Sequence, residues 1–502
     1  MKKLFVVLLA LLVAASVYTV RTLPDAQSDV PVLYWVTDGN PERNRQAAAF
    51  RTWLKKNHLP ECELRVDTVN SGAEKVLIQG VSGVCGDIMD LHAGASALRF
   101  RNAIGLLEDV TDDAIVHGYS LTNTWPSVRN ELVDNGRQFA FPCNLGCDMF
   151  WVNRSVFASN GIALPGPQMT TEEFERIGKE LVAKTRTPGT LQTVFAVPEI
   201  DTTTLAMTIG GAIFNETQTA PAIASSGYRE ALRLRYKWEK EDHIIPSEAE
   251  RTSVATASAF GGANVSRFAM GNYAFLLSGR WMLVQFRRFN DDLKEKGLPP
   301  MDLGVTTQPF GEMPCAPINT RIASVYAGSK HKDLAKLFLA YLASEDYSAI
   351  ITDDADALPP RPDFADPNLH PEFNNPPGRP EERGIHEILA ACAASDAVSP
   401  EFSPFVLDSV VRRILDETQQ KFLNDLLDLD GTVETMERLI RDEFARAFEE
   451  EPEKLPLYRE RCDLQKKIDD LRSRGEKVPL SWISNLYWQK WYLYKGWADP
   501  SK

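Results

Sequence analysis

The feature that most limits the fold of this chain is a regular alternation of short apolar strands and amphipathic helices, beginning near residue 31. The segments VPVLYWV (30–36), CELRVDTV (62–69) and GDIMDLHAG (86–94) have strand patterns, and helical patterns such as NPERNRQAAAFRTWLKKNH (40–58) separate them. Repeated strand–helix–strand units predict a parallel sheet with helices on both faces. The sequence therefore predicts an α/β fold.

Polar and aromatic residues stand where two of these strands end. They are Trp35, Thr37, Asp38 and Asn40 after the first strand, and Asp90 and His92 after the third. In sheets of this kind, ligands bind at the carboxyl ends of the strands. Taken alone, Asp38 is more typical of a turn or a helix cap, and His92 of a loop. Their shared position at strand ends favours a ligand site.

Length and charge narrow the classes of protein further. A chain of 502 residues is too long for one hydrophobic core, so two or more domains are expected. It carries 55 Lys and Arg against 69 Asp and Glu, a formal net charge of −14. This balance argues against nucleic acid or an anionic membrane surface as the main partner.

The N-terminus has the pattern of an export signal. Two lysines precede LFVVLLALLVAASVYTV (4–20), an uncharged apolar run. Residues 1–25 are therefore either a cleaved signal peptide or a retained membrane anchor, because the run is near the lower length limit of a spanning helix. No cysteine precedes Cys62, which excludes a lipid-modified N-terminal cysteine. Both alternatives predict a periplasmic or other extracytoplasmic protein, and the second adds a membrane tether.

The sequence contains none of the motifs that mark common catalytic or cofactor sites. G-x-S-x-G, H-E-x-x-H and the Walker loop are absent, and the seven cysteines have no metal-ligand spacing. The odd number of cysteines leaves at least one thiol unpaired in an oxidising compartment. We expect no enzymatic activity, no cofactor and no bound metal.

The stretch SRFAMGNYAFLLSGRWMLVQFRR (266–288) mixes helix and strand patterns. It is interpreted as a helix that ends at Gly271, a buried strand over 274–277, and a turn at Ser278 and Gly279 that brings Trp281 to a cleft. Glycine permits a tight turn beside a ligand. The alternative is that Trp281 packs in the core with its apolar neighbours.

A series of short segments resembles one protein family. They are LYWVTDGN, GDIMDLHAG, LLEDVTD, TWPSVRNELVDNGRQFAFPCNLGCDMFWVNRSVF, MTTEEF, RFAMGNYAFLLSGRWM, LGVTTQPF and ALPPRPDF. Their order is similar to that in the extracellular solute-binding proteins of ABC importers, in the carbohydrate-binding family that includes maltose-binding protein. The resemblance runs from about residue 31 to about residue 450. Each segment is weakly specific, and their common order carries the resemblance.

The resemblance implies a two-lobed, periplasmic-binding-protein-like α/β fold in which hinge segments join the lobes. Lobe 1 would hold residues 31–141 and 314–352, and lobe 2 residues 142–313 and 353–450. A carbohydrate, mono- or oligosaccharide, would bind in the cleft, and hinge closure would present the complex to the permease subunits of an ABC importer. A monomer is expected. Cys143 and Cys315 fall near the implied crossings, so a disulfide between them is a further expectation.

The resemblance also adds candidate ligand residues. Trp281 matches the position where similar proteins place an aromatic that stacks on a sugar ring. Trp151 is a candidate from the first strand of lobe 2, with core packing as its alternative. Arg280 could clamp an acidic ligand, although a solvated arginine is the simpler reading. One departure is Val152, where the family often has tyrosine before the Asn153-Arg154 pair, so stacking at that position is in doubt.

Residues 451–502 lie beyond the resemblance. They contain a charged helix and then SWISNLYWQKWYLYKGWADPSK, which is rich in aromatic residues. This extension either fills a groove on lobe 2 or presents an aromatic surface to a partner or membrane.

Two other functions stay open at this point. One is a membrane-anchored sensory or scaffold ectodomain with the same fold, and the other is an exported glycosidase.

Overall fold

A computed structural model describes residues 28–92, 94–187, 189, 192–253 and 262–501. Within them the chain forms two main sheets. The first has the strand order β2-β1-β3-β11-β6 and belongs to lobe 1. Its strands are β1 (Val32–Val36), β2 (Glu63–Asp67), β3 (Ile88–Leu91), β6 (Ala140–Asn144) and β11 (Arg321–Val325). The expected signal or anchor (1–25) lies outside the described residues.

The first sheet is mixed. Strand β1 pairs in parallel with β2 and β3, as the strand–helix alternation predicts. Strand β11 returns from the second half of the chain and pairs antiparallel with both β3 and β6. The start of β11 therefore lies beside the ends of β3 and β6, at the edge of the sheet that faces lobe 2.

The second sheet, in lobe 2, has three antiparallel strands in the order β8-β7-β9. They are β7 (Met149–Asn153), β8 (Phe275–Ser278) and β9 (Leu303–Thr306). Short two-residue strands pair elsewhere, namely β4 (Val133–Asp134) with β5 (Arg137–Gln138), β10 (Ala316–Pro317) with β12 (Ala397–Val398), and β13 (Val478–Pro479) with β14 (Ala498–Asp499).

Helices cover both sheets. In lobe 1 they are α1 (Arg43–Lys56), α2 (Ala73–Val81), α3 (Gly94–Ala103), α4 (Thr111–Val116), α12 (Lys332–Leu342) and α13 (Glu345–Asp354). The segment 154–295 adds α5 (Arg154–Asn160), α6 (Thr171–Thr185), α7 (Thr202–Met207), α8 (Ser226–Tyr236), α9 (Glu248–Ser253), α10 (Gly262–Ala269) and α11 (Leu283–Glu295). The rest are α14 (Pro371–Asn374), α15 (His386–Ser395), α16 (Asp408–Leu423), α17 (Leu429–Glu450), α18 (Leu455–Ser473) and α19 (Leu486–Lys495).

The chain crosses between the two sheets in short segments. Residues 145–148 join β6 to β7, and the stretch from 307 to 320 leads from β9 to β11. A third segment, 355–360, leaves α13 and packs back on lobe 1, where the Trp125 indole donates to the carbonyl of Pro359 at 2.9 Å. These segments form the floor between the lobes. The first sheet lies on one side of these segments and the second sheet on the other.

The C-terminal extension packs closely against the segment that joins the lobes. Four of its aromatic side chains, Tyr487, Trp488, Trp491 and Tyr492, are buried in one apolar cluster with Met207, Met313, Cys315 and Val398. The carboxylate of Glu401 also holds the extension in place. It accepts hydrogen bonds from the backbone N–H of Ile213 and from the Asn485 amide, which belongs to the extension. Trp497 at its end is 42% exposed.

The cysteine side chains do not form the expected disulfide. All seven cysteines are free thiols, so the expected Cys143–Cys315 disulfide is wrong. Cys143 lies on strand β6 with its side chain in one core cluster of lobe 1, whereas Cys315 packs under the C-terminal extension. Among the described residues, no helix combines the length and the apolar character needed to cross a bilayer.

Candidate functional site

A cavity of about 230 Å³ lies between the lobes. Its lining comes from strand ends, from the crossing segments and from the turn before α11. The residues are Asp38, Asn40, Arg43, His92, Asn144, Trp281, Asn319, Arg321, Asp356 and Ala357. Since Asp38 and His92 belong to lobe 1 and Trp281 to lobe 2, a molecule in this cavity would contact both lobes.

The pairing of the first sheet brings the lobe 1 residues together. Strands β1 and β3 are parallel, so the residues that follow them emerge at the same edge. Strand β11 starts at this edge, where Arg321 pairs with Asn144 and Ile322 with Leu91. Antiparallel pairing therefore places an arginine from the second half of the chain beside carboxylates from the first.

Two buried arginines and three aspartates form an ion-pair network on the lobe 1 wall. The Arg43 guanidinium donates to both oxygens of Asp38, each at 2.9 Å, and also to Asp356. The Arg321 guanidinium donates to Asp90 at 2.7 Å and to Asp356 at 3.3 Å. Burying charges is costly unless they are paired, and here each guanidinium meets two carboxylates.

This network sets the charge states on the wall. Burial alone would raise the pKa of Asp38, but the charges of Arg43 and Arg321 hold that pKa well below its usual range. The same two arginines outweigh burial at Asp356 and lower its pKa. For Asp354, burial and the neighbouring Asp356 charge raise the pKa to about 7. His92 is open to solvent but stands in the cleft, where desolvation lowers its pKa, with a further contribution from Arg321.

The lobe 2 wall is built around the indole of Trp281. Strand β8 ends at Ser278, and after Gly279 a short 3-10 turn (Arg280–Met282) leads into α11. A Cβ atom on residue 279 would lie 2.9 Å from Cδ1 of Trp281, so glycine allows the backbone to approach the ring closely. The indole is half-buried and lines the cavity.

The carboxyl group of Asp148 lies next to this turn, on the crossing between β6 and β7. Its Oδ1 atom is 3.3 Å from the same Cβ position on residue 279, and it is buried without a hydrogen-bond partner among the described residues. Burial raises the pKa of Asp148 to about 6, and the nearby Asn319 amide offsets part of this effect. Asn319 itself lines the cavity.

Arg280 has a different position from its neighbour Trp281. It is 1% exposed, so the alternative of a solvated arginine is wrong. Its guanidinium donates to the carbonyls of Ile351, Thr352 and Ala357, and its Nε donates to Nδ1 of His386 at 3.0 Å. Arg280 thus caps the C-terminal end of α13 and does not line the cavity.

The predicted tryptophans other than Trp281 support the site from behind. Trp35 is fully buried, and its indole donates to Oδ1 of Asp90 at 2.7 Å. Trp151 is also fully buried, and its indole donates to the carbonyl of Gly279 at 3.2 Å. Of the seven predicted ligand residues, the cavity is lined by Asp38, His92 and Trp281, while Trp35, Asp90, Trp151 and Arg280 lie behind its walls.

Sequence reasoning missed several residues of the cavity, namely Arg43, Asn144, Asn319, Arg321 and Asp356. Most lie on or next to the crossing segments, and no local pattern distinguishes them from ordinary surface residues. The implied crossings near residues 141 and 314 are the signal that could have directed attention to Asn144 and Asn319.

Among the residues described, no group of His, Cys, Asp and Glu could hold a metal ion.

The architecture is that of a two-lobed binding protein with its cavity between the lobes. The family model for bacterial extracellular solute-binding proteins matches residues 42–349, more than half of the chain. The chain therefore belongs to this family. No curated protein shows a significant match.

Several solved structures have the same fold, and the match to this chain extends over almost the whole length of each of them. One is an ABC substrate-binding protein of Listeria monocytogenes in complex with cycloalternan, with a TM-score of 0.67, 17% identity, and coverage of 82% of this chain and 99% of that one. The sugar-binding protein MalE of Xanthomonas citri has a TM-score of 0.61 and 15% identity, with coverage of 83% and 98%.

A third structure has a different kind of ligand. UgpB of Mycobacterium tuberculosis in complex with glycerophosphocholine has a TM-score of 0.64 and 14% identity, with coverage of 84% of this chain and 99% of that one. At these identities the likeness establishes the fold alone.

Proposed function

We propose that the protein captures a carbohydrate, mono- or oligosaccharide, in the interlobe cavity and delivers it to an ABC importer outside the cytoplasm. The observation that carries the proposal is the indole of Trp281 facing a polar cavity wall. A sugar ring has apolar C–H faces that stack on an aromatic ring, and hydroxyl groups that need both donors and acceptors.

The cavity is lined by both hydrogen-bond donors and hydrogen-bond acceptors. The Nε–H of Arg321 is buried and has no hydrogen-bond partner among the described residues, and it lies 3.9 Å from a carboxylate oxygen of Asp38. On the other side, the side-chain amides of Asn144 and Asn319 line the cavity, and each carries both a donor and an acceptor. A buried polar group without a partner is costly. A hydroxyl group can satisfy either kind of atom, because it both donates and accepts.

The proposal includes hinge closure, and the position of the cavity between the lobes supports it. A sugar that stacks on Trp281 and bonds to Asp38 contacts both lobes only when they are together, so its binding favours the closed form. The permease subunits of an importer would then recognise the closed complex. The cycloalternan named with the Listeria structure, and the designation of the two structures as ABC substrate-binding and sugar-binding proteins, agree with this proposal.

A thermal-shift screen of the exported chain tests the ligand class. Sugars, polyols, amino acids and polyamines are compared at matched concentrations. A ligand present at a hundred times its Kd adds about 2.7 kcal/mol to the unfolding free energy, so a carbohydrate should raise the melting temperature measurably. If another solute class raises it and no carbohydrate does, the carbohydrate proposal is rejected.

A further inference from the structure

The C-terminal extension (451–502) is anchored to lobe 2 at a buried carboxylate. Glu216, between α7 and α8, accepts hydrogen bonds from Gln465 and Arg472 of α18, each at 2.8 Å. The hydroxyl of Tyr492, in α19, donates to the same carboxylate at 2.6 Å. Both α18 and α19 are therefore fixed to one point of lobe 2.

Helix α19 also contacts the crossing that leads from β9 to β11 (307–320). The Tyr494 hydroxyl donates to the backbone carbonyl of Glu312 at 2.8 Å, and Lys495 forms an ion pair with the Glu312 carboxylate. Met313 and Cys315, which follow on the same crossing, are buried in one apolar cluster with the aromatic side chains of α19. Polar and apolar contacts therefore attach the first half of this crossing to the extension.

A second connection between the lobes is bonded to the same helix. Helix α15 packs against the 3-10 turn Pro126–Glu131 in lobe 1 and against β9 in lobe 2, and β12 after it pairs with β10 of the crossing. The Lys490 ammonium group donates to the carbonyls of Ser395 at 2.7 Å and Ala397 at 3.2 Å. A cation at the C-terminal end of a helix satisfies free carbonyls and is favoured by the helix dipole. Lys490 thus joins the extension to a helix that contacts both lobes.

Three kinds of segment therefore meet at α19. The body of lobe 2 contributes the backbone carbonyls of Met207 and Phe214, which accept from the Tyr487 hydroxyl at 2.9 Å and from the Trp488 indole at 2.8 Å. The crossing and α15 contribute the other carbonyls. Lobes of a hinged protein move when a few connecting residues change conformation. A connection that is bonded to a rigid helix of one lobe cannot bend freely along its bonded part.

We propose that the C-terminal extension restrains the hinge, because it fixes the crossing 307–320 and helix α15 to lobe 2 and confines bending to the parts nearer to lobe 1. This inference rests on the hinge closure of the proposed function and adds the element that controls it. A connection that is ordered before a ligand arrives loses less conformational freedom when the lobes close. The free protein therefore samples a narrower range of interlobe distances than it would without these contacts.

The distribution of interlobe distances in the full chain, without added ligand, tests the restraint. Spin labels are attached through non-natural residues at Ile115 in lobe 1 and Leu164 in lobe 2, which are both exposed, since cysteine labels would also react with native thiols. Double electron–electron resonance measures the distribution. Lys490→Met combined with Tyr494→Phe removes three hydrogen bonds to the connections, and we expect the distribution to become broader. Hydrogen exchange of residues 307–320 and 386–398 should become at least about tenfold faster.

Lys466→Met is the matched control. Lys466 is an exposed lysine of α18 that bonds to Asp463 in its own helix, so this variant should keep the original distance distribution and exchange rates. Faster exchange confined to the extension, or a lower melting temperature with an unchanged distance distribution, would show that α19 only covers lobe 2. Either result would overturn the restraint.

A single substitution decides the question if the double variant does not fold. Tyr494 is 54% exposed, so Tyr494→Phe removes its hydrogen bond to the crossing without opening a cavity. Exchange of residues 307–320 should become faster, while that of 386–398 should stay unchanged, and unaltered exchange in both segments would overturn the proposal. None of these measurements uses a ligand. An unchanged hinge therefore leaves the carbohydrate function standing, and a negative sugar screen leaves the measured restraint standing.

Discussion

The guanidinium of Arg280 donates a hydrogen bond to the backbone carbonyl of Ala357, across the floor of the cavity. Ala357 lines the cavity and follows Asp356, which belongs to the ion-pair network, while Arg280 precedes Trp281. Both Ala355 and Ala357 have positive φ angles, of 59° and 65°, in which a residue with a side chain is strained. The arginine thus holds a strained segment between the two walls.

We expect Arg280→Met to lower the unfolding free energy by about 3 kcal/mol. The substitution keeps the apolar stem but leaves the buried carbonyls of Ile351, Thr352 and Ala357 without their donor. Denaturant unfolding measures the change. Arg288→Met, at an exposed arginine of the following helix α11, is the control and should change stability by less than about 0.5 kcal/mol. Equal effects of the two substitutions would contradict the capping role.

Trp281→Ala should weaken carbohydrate binding by at least about 2 kcal/mol, which is roughly thirtyfold in Kd. The truncation removes the aromatic surface of the cavity, while the ring is only half-buried and its loss leaves the core intact. Calorimetry with the ligand found in the screen measures the change. Trp497→Ala, at an exposed tryptophan in the C-terminal extension, should bind as the original chain does. Unchanged binding by Trp281→Ala would assign its indole to packing.

His386 should make stability depend on pH. It is fully buried beside Arg280, and burial lowers its pKa to about 4 from 6.5. Because the unfolded chain takes up a proton at about pH 6.5 and the folded chain does not, stability from this group is lost as pH falls between about 6.5 and 4. The total is on the order of 3 kcal/mol.

Comparison with His386→Gln isolates this contribution from carboxyl groups that titrate in the same range. Denaturant unfolding of both proteins is measured at about pH 7.5 and at about pH 4.5. The unfolding free energy of the original chain should fall more than that of the variant at the lower pH. Glutamine can still accept from Arg280 and donate to Glu382, which His386 contacts at 3.0 Å. A constant difference between the two proteins across this range would show that His386 does not titrate as expected.

Asn485→Ala should loosen the C-terminal extension. The Asn485 amide donates to the buried carboxylate of Glu401 at 2.7 Å, and its Oδ1 accepts from the backbone of Tyr487 at the start of α19. Loss of a cap and of a buried donor together costs about 2 kcal/mol. Hydrogen exchange of residues 486–495 should increase. Asn368→Ala, an exposed asparagine with local bonds, should leave this exchange unchanged; faster exchange in both variants would contradict the prediction.

The local pattern of the sequence was sufficient for much of the fold. Alternation with a period of two or of 3.6 residues reflects which side chains face the core, and it identified β1, β2, β3 and the helices between them. The stretch around Gly271 and Gly279 was also readable, because glycines and apolar runs mark where a helix ends and a strand begins. For Trp281 the local pattern left core packing open, and the family resemblance favoured a position in the cleft.

The chemistry of the cavity required the tertiary structure. Asn40 bonds to Asp356, 316 residues away, and Arg321 reaches Asp90 only because β11 pairs antiparallel with β3. Charge compensation depends on distance in space, so a sequence cannot reveal which carboxylates are neutralised. The same applies to Arg280, whose burial depends on a helix end that arrives from residue 351. The sequence by itself determined the strands, the helices and the turn at Trp281, because these follow from local periodicity. Only the packing of distant segments decided which polar groups share one cavity and what charge they carry.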